Sequence, residues 1–308
     1  MDSSAPEAIG DPAHWIGQLE RGRRQFLTLI EPLRPELHRY CARMTGSVAD
    51  GEDVVQDTLA AAYYELSQMR ALPPLRPWLF RIAHNRAIDH WRRERGRQAE
   101  PLDSAAEIAD APEREPDQAL ARRQAVQAAI TGFLALPPAQ RACVILKDVL
   151  EHSLDEIAAA LGTSVPAVKA ALHRGRAALA QRADAGDVAE PPRNASPALL
   201  RYASLFNAHD WDGVRALLAD DVRLDLVSRR RLAGPEVATY FGNYQGTPGW
   251  QLAPAWLDGR EVLAVRVAPY AAPAYLIALG WRDGRVATIR DYRYVPYIAR
   301  EAAFRSGG

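Results

Sequence analysis

The sequence predicts three folded parts in one chain: two all-α modules followed by an α+β module. Apolar residues recur three or four positions apart over residues 20–97 and again over 119–182, which is the periodicity of helices. Between them, residues 98–118 contain seven acidic residues, one basic residue and three prolines, a composition typical of a flexible linker. After residue 198 the runs alternate and are punctuated by Asp-Gly dipeptides, which predict β-hairpins.

We therefore expect six segments with different roles. They are a flexible N-terminal tail (1–20), a helical domain (21–97), an acidic linker (98–118), a helix-turn-helix domain (119–182), a second linker (183–197) and an α+β domain (198–308).

The composition narrows the class of protein. Charge is balanced at 38 basic and 38 acidic residues in 308, so any nucleic-acid affinity must come from local clusters. Cys41 and Cys143 lie far apart and have no metal-ligand spacing, so we expect two buried reduced thiols and no metal site. No apolar run is long enough to span a membrane, and the N-terminus lacks the pattern of a secretory signal. These features predict a cytoplasmic protein.

The first helical domain ends in an unusual helix. The prolines of residues 71–77 predict a loop, and Pro77 suits the first turn of the helix that follows. Residues 76–97 contain seven arginines, yet apolar residues including Trp78, Phe80 and Trp91 recur at helical spacing. A basic surface with flat aromatic groups suits the backbone and the unstacked bases of single-stranded DNA. Packing in a helical core is the alternative, and we favour it for Trp78, Leu79, Ile82 and Ile88.

The second domain contains a helix-turn-helix pattern. Ser153 and Glu156 form a capping box before a short apolar helix, and Gly162 is suited to end it. Thr163 or Ser164 caps the next helix, which has Pro166 in its first turn and carries basic residues on its outer face. A helix of this kind fits the major groove, where its side chains reach base edges and phosphates. An ordinary solvated helical hairpin is the alternative.

The residues around these motifs resemble a known family. DGEDVVQDTLAAAYYEL followed by RPWLFRIAHNRAIDHWRRERGR resembles region 2 of the extracytoplasmic-function (ECF) sigma factors of the sigma-70 family, and LPPAQRACVILKDVLEHSLDEIAAALGTSVPAVKAALHRGRAAL resembles region 4. The resemblance implies a bacterial protein that binds core RNA polymerase at its β′ clamp and β flap. It also implies that region 4 recognises the minus-thirty-five promoter element, while region 2 recognises the minus-ten element and stabilises the melted strand.

The resemblance assigns residues to each role. Short polar and acidic side chains suit an arginine-rich partner helix of the β′ clamp, and these are Asp53, Gln56 and Asp57. The residues expected at the minus-ten element are Arg76, Trp78, Arg81, Asn85, Arg86, Asp89, His90, Arg92 and Arg93. The residues expected at the minus-thirty-five element are Ser164, Pro166, Lys169, His173, Arg174 and Arg176.

The last domain resembles the SnoaL-like, cystatin-type α+β cone, on the stretch ALLRYASLFNAHDWDGVRALLADDVRLDLV and the strands after it. Some members are enzymes, but His209, Asp210, Asp225, Asp258 and Asp291 form no convincing acid/base pair, so we predict no catalytic residue and no cofactor. We expect this domain to contact the sigma core and to modulate it, and the sequence leaves open whether it binds a small-molecule ligand. Large aromatic residues offer surfaces for such contacts, namely Trp211, Trp250, Trp256, Tyr270, Tyr292, Tyr294 and Tyr297.

Two other functions stay open. A ligand-responsive helix-turn-helix repressor would bind duplex DNA without polymerase. A SnoaL-type enzyme tethered to DNA would need a closed pocket with an Asp or a His beside a second polar group.

Overall fold

The computed structural model describes residues 12–98, 130–183, 194–245, 249–258, 260–268 and 272–301. We name three parts: the first helical module (12–98), the second helical module (130–183) and the C-terminal module (194–301). The acidic linker expected at 98–118 lies almost wholly outside the described residues, as does Tyr270.

The first helical module is a bundle in which α2, α3 and α4 pack on one another. The tail expected over residues 1–20 is wrong for residues 12–20, because the first helix begins at Pro12. The four helices are α1 (Pro12–Ile30), α2 (Arg34–Thr45), α3 (Val48–Ser67) and α4 (Leu75–Gln98).

The contact between α2 and α3 depends on small residues and on a tight turn. A Cβ atom at Gly51 would lie 2.5 Å from the backbone of Ala42, so only glycine allows this approach of the two helices. Gly46 ends α2 in the left-handed conformation, and Ser47 caps α3 by accepting a hydrogen bond from the Asp50 N–H. The turn at residues 46–47 is therefore fixed by local sequence.

The second helical module has the helix-turn-helix that the sequence predicts. Ser153 and Glu156 form both hydrogen bonds of the capping box, and Gly162 ends the first helix of the motif with a φ of 63°. The elements are a 3₁₀ segment (Ile130–Ala135), α5 (Pro138–Val144), a π-helical turn (Ile145–Val149), α6 (Leu154–Leu161) and α7 (Val165–Ala183).

The two helical modules share one hydrophobic core. Phe80 of α4 is buried, and its ring packs edge-on against His152, which precedes α6. Arg141 of α5 is fully buried and donates a 2.5 Å hydrogen bond to the carbonyl of Met44 at the end of α2. Both thiols, Cys41 and Cys143, are free and buried in this core, as predicted.

The C-terminal module is an α+β cone with a six-stranded sheet among its described residues, in the order β2-β1-β6-β5-β4-β3. The expected hairpins form at Asp258 and at Asp283–Gly284, whose φ angles are positive. The sheet is mixed, because β1 pairs with β6 in parallel whereas the other described pairs are antiparallel. The elements are α8 (Pro197–Asn207), α9 (Trp211–Ala216), β1 (Leu218–Leu226), β2 (Arg230–Ala233), a 3₁₀ segment (Gly234–Phe241), α10 (Gly242–Gln245), β3 (Gln251–Leu257), β4 (Arg260–Arg266), β5 (Tyr275–Arg282), β6 (Arg285–Asp291) and α11 (Tyr297–Glu301).

This sheet is buried on both faces. Along β4, Leu263 and Val265 face the interior of the cone, whereas Val262 and Ala264 belong to a separate cluster on the other face. That second cluster also contains Val48 at the start of α3. The outer face of the sheet therefore packs against the first helical module, and this contact places the C-terminal module over α3.

Candidate nucleic-acid and partner interfaces

One face of α4 presents an exposed polar and basic surface. Its members recur at helical spacing and lie opposite the buried Leu79, Ala83 and Ala87. They are Arg81, Asn85, Arg86, Asp89, Arg92 and Arg93, all from the set expected at the minus-ten element. This arrangement presents positive charge and hydrogen-bonding groups on one side of the helix.

Two members of the expected set are committed to the fold instead. Trp78 is 5% exposed, and its indole N–H donates a 3.1 Å hydrogen bond to Glu65. Arg76 forms an ion pair with Glu36 and lies 3.9 Å from Glu156 of α6. Trp78 in particular has no free face for a base, and His90 is half-buried.

The recognition helix α7 carries its exposed residues on one side. They are Ser164, Pro166, Lys169, His173 and Arg174, while Val168 and Leu172 are buried on the opposite side. Ser164 caps α7 through a 3.4 Å contact with the Ala167 N–H. The exposed side of the helix is therefore basic and unobstructed by the rest of its own module.

Arg176 differs from its neighbours on α7. Its guanidinium makes two hydrogen bonds of 2.9 and 2.5 Å with Asp148, whose side chain is buried. These hydrogen bonds raise the pKa of Arg176. Because a buried carboxylate requires its partner, we assign Arg176 to the stability of the module and remove it from the DNA-contacting set.

The three residues expected to bind polymerase lie on α3, facing the C-terminal module. Asp53 forms two hydrogen bonds of 3.1 and 2.5 Å with Arg290 of β6. Gln56 donates a 2.9 Å hydrogen bond to Glu52, and Asp57 is exposed. Of the two carboxylates in this set, Asp53 is thus paired with an arginine of the same chain, whereas Asp57 is exposed.

A buried polar cluster holds the two modules together beside Asp53. The guanidinium of Arg34 donates to Glu52 (2.6 Å), to the Ser228 hydroxyl (2.5 Å) and to the Tyr297 hydroxyl (2.7 Å). Tyr297 in turn donates to the second oxygen of Glu52 at 2.7 Å. Glu52 is fully buried, so its charge depends on these donors. The sequence reasoning missed Arg34 and Glu52, and anticipated Tyr297 only as a general contact surface.

Asp258 reaches across the same interface to the N-terminus of α3. One of its carboxylate oxygens accepts hydrogen bonds from the N–H groups of Val48 (2.7 Å) and Ala49 (3.3 Å). Burial raises the pKa of Asp258, although the backbone donors of Ala49 and Val48 act to lower it. A turn residue of one module therefore serves as a helix cap for another.

The acid/base candidates of the C-terminal module have structural partners. Asp210 accepts a 2.8 Å hydrogen bond from the Gly213 N–H and caps α9. Asp291 is buried inside the cone, where it accepts hydrogen bonds from Tyr240 (2.6 Å) and from the Arg293 N–H (2.8 Å). Burial raises the pKa of Asp291. Trp211 and Trp250 pack against this interior, as the aromatic contacts of Phe206 and Tyr244 show.

The described residues contain no group of three or more His, Cys, Asp or Glu side chains that fits a metal ion. Within the same residues, no helix has both the length and the apolar character needed to cross a membrane.

The fold and these surfaces define a DNA-binding protein with two helical reading modules and an appended α+β module. Family models for sigma-70 region 2 and sigma-70 region 4 match residues 29–97 and 128–179. The chain is 34% identical to the ECF RNA polymerase sigma factor SigG of Mycobacterium tuberculosis, over 83% of this chain and 75% of that protein. Residues 1–197 alone are too few to account for such coverage, so the match extends into the C-terminal module.

The chain therefore belongs to the ECF sigma factors of RNA polymerase. Among solved structures, the M. tuberculosis sigma factor SigJ is 24% identical, with 86% of this chain and 95% of that chain covered and a TM-score of 0.35. A putative ketosteroid isomerase from Kribbella flavida matches 30% of this chain and 73% of its own at 29% identity, with a TM-score of 0.25.

Proposed function

We propose that this sigma factor directs promoter-specific initiation, and that its free form is closed, with the C-terminal module covering the polymerase-binding face of α3. The observation that carries the proposal is the double hydrogen bond between Asp53 and Arg290. A residue that is paired within the chain is unavailable to an arginine of the β′ clamp until that pair breaks.

The exposed surfaces support an assignment of roles in DNA binding. The α4 face from Arg81 to Arg93 suits the melted minus-ten strand, since arginines neutralise phosphates and Asn85 and Asp89 present hydrogen-bonding groups to bases. The α7 face with Lys169, His173 and Arg174 suits the major groove at the minus-thirty-five element. The β flap remains the partner proposed for the second helical module.

The spacing of promoter elements requires the helical modules to separate. Elements centred about 25 base pairs apart lie roughly 85 Å apart on B-form DNA, at about 34 Å per turn. Here α4 packs directly on α6, and packed helices have axes about 8–10 Å apart. One molecule in this state cannot reach both elements. We therefore infer that polymerase binding separates the two helical modules. We also propose that the protein acts in the cytoplasm, where it meets polymerase.

The buried acid of the cone supports a structural role for the C-terminal module more than an enzymatic one. Asp291 already accepts hydrogen bonds from Tyr240 and from the Arg293 backbone, and Tyr244 bonds to Tyr275 at 2.8 Å. A general acid or base needs a free position for the atom that exchanges its proton. The hydroxyl groups of Tyr240 and Tyr244 occupy the positions beside the Asp291 carboxylate.

Run-off transcription with purified core polymerase on a promoter library tests the proposal. The full chain, residues 1–195 and the full-length Arg290→Glu variant are compared, with Arg285→Glu as the matched control because Arg285 is exposed at the other end of β6. We expect Arg290→Glu to transcribe several-fold more than the control from the same promoters. Equal activity of these two variants would exclude masking of α3, and an absence of specific transcripts from every form would exclude the sigma assignment.

A further inference from the structure

The interface between the C-terminal module and the first helical module contains an open cleft of about 730 Å³. Its upper wall is the turn between β1 and β2, and its lower wall is formed by α1 and α3. Its volume lies within the range of about 300–1,000 Å³ that small-molecule sites occupy.

The cleft is rich in arginine. Five arginines line it against three aspartates, Asp53, Asp57 and Asp225. The arginines are Arg23, Arg229, Arg230, Arg231 and Arg290. Three of them are consecutive, because Arg229 ends the β1–β2 turn and Arg230 and Arg231 begin β2.

Most of this positive charge is incompletely paired. Neither Arg23 nor Arg230 makes an ion pair with any residue that the structure describes. Arg231 approaches Asp225 only to 3.7 Å, which is too long for a hydrogen bond. The Nε atom of Arg290 is buried without a hydrogen-bond partner, and its distance to Asp225 is 3.8 Å. A buried donor without an acceptor is unusual in a folded protein.

We propose that this cleft binds a small molecule that carries two or more linked phosphate groups. Guanidinium groups bind phosphate oxygens through paired hydrogen bonds. An incoming anion must compete with Asp53 and Asp225 for Arg290, and Coulomb attraction grows with charge, so a polyphosphate is favoured over a single carboxylate. The size of the cleft accommodates a nucleotide as readily as pyrophosphate.

Binding at this place would act on the contact that closes the molecule. A phosphate group seated between Arg230 and Arg290 withdraws the Arg290 guanidinium from Asp53, and the docking of the C-terminal module weakens. This step rests on the proposed function, in which Asp53 must be released before polymerase binds. The anion thereby opens the face of α3 to polymerase.

Titration calorimetry of the full-length protein with sodium pyrophosphate, against sodium chloride of equal ionic strength, tests the site. We expect saturable binding with one site per chain. Replacing both Arg230 and Arg231 with Ala is expected to weaken it about ten-fold or more, since each removes charge-assisted hydrogen bonds. Arg285→Ala, at the far end of the same sheet, is expected to leave it unchanged. Binding that is absent, or equal in the Arg230→Ala/Arg231→Ala variant, overturns the proposal.

A distance measurement tests the coupling separately. Spin labels on Ala60→Cys of α3 and Thr239→Cys of the C-terminal module, both exposed positions, report the docked distance by pulsed electron resonance. Pyrophosphate is expected to lengthen or broaden that distance. Binding without any change in distance overturns the coupling. If pyrophosphate does not bind and Arg290→Glu still activates transcription, this proposal fails while the masking of α3 stands.

Discussion

The first helical module makes two contacts that differ in their chemistry. Against the second helical module it shares a continuous apolar core, in which Phe80 and Leu146 are almost fully buried. Against the C-terminal module it presents carboxylates and helix ends, with Glu52, Asp53 and the N-terminus of α3 each bound by a polar group from the other side. The apolar cluster at this second contact is small.

The chemistry of each contact determines what opens it. Apolar burial is insensitive to ions and is lost only when another surface or water replaces the whole core. Contacts between partly exposed charges weaken as salt rises, because the screening length falls from about 10 Å at 0.1 M to about 3 Å at 1 M. We expect the C-terminal module to respond to ionic ligands and the helical modules to respond to a competing protein surface.

The largest effect is expected for Phe80→Ala, which removes a ring from the apolar contact. Its ring centroid lies 5.6 Å from that of Tyr40 and 4.7 Å from that of His152. A truncation of this kind costs about 3–5 kcal/mol in the free energy of unfolding, and the loss should be nearly independent of salt. Urea unfolding at low and high salt measures it, with the exposed Tyr64→Ala as control. A loss that disappears in high salt would show that charge, and not apolar burial, stabilises the contact between the two helical modules.

An intermediate effect is expected for Tyr297→Phe at the polar contact. The hydroxyl that it removes bonds to both Arg34 and Glu52, which keep their hydrogen bond to each other, and leaving one buried polar atom unsatisfied costs about 1–3 kcal/mol. Hydrogen exchange of α3 amides should increase because docking weakens. Tyr294→Phe serves as the control, since Tyr294 is 44% exposed and its ring lies under Arg229. Equal protection in both variants would contradict the assignment.

A smaller and salt-dependent effect is expected for the pair of Asp53 and Arg290. A double-mutant cycle with Asp53→Ala and Arg290→Ala should give a coupling energy of about 0.5–1 kcal/mol at low salt, because Asp53 is half-exposed and partly screened. The coupling should fall when salt is raised from about 0.05 to 0.5 M. A coupling that is unchanged over this range would show that the pair acts by packing.

The smallest effect is expected from pH at the apolar contact. Burial acts to raise the pKa of Glu36, but hydrogen bonds from His152 and Arg76 outweigh it and lower that pKa below 4.5. Ionised Glu36 therefore stabilises the contact above pH 4.5, and this contribution is lost as pH falls through the lowered pKa. Chemical denaturation from pH 6 to 3 measures it. The Glu36→Gln variant should lack this component, and an identical pH profile would contradict the role.

The local features were predictable because they depend on neighbours in sequence. The capping box of Ser153 and Glu156 and the left-handed Gly162 are such cases, as is Pro77 in the first turn of α4. The spacing of Arg174 and Arg176 turns their side chains about 160° apart around the helix axis, so the sequence already placed them on different faces. The partner of Arg176 was not predictable, because only the fold brings Asp148 to it.

The sequence contains a pattern that indicates docking of the C-terminal module, but we interpreted its strands as alternating between apolar and polar residues. Val262–Val265 and Leu276–Ala278 are continuous apolar runs, which are typical of strands covered on both faces. These runs indicate that another part of the chain or a partner packs on the outer face of the sheet. They do not indicate that the first helical module is the part that does so. The parallel pairing of β1 with β6 had no local signal, because the choice of partner strand is decided by the whole sheet.

The turn between α2 and α3 receives one charged side chain from each of the other modules. Arg141 of the second helical module binds the carbonyl of Met44 at the negative end of α2, and Asp258 of the C-terminal module binds the N–H of Val48 at the positive end of α3. A shift of this turn alters both contacts together. The two openings are then thermodynamically linked, and linkage is reciprocal. The effect of separating the helical modules on the release of the C-terminal module therefore equals the effect of that release on the separation of the helical modules.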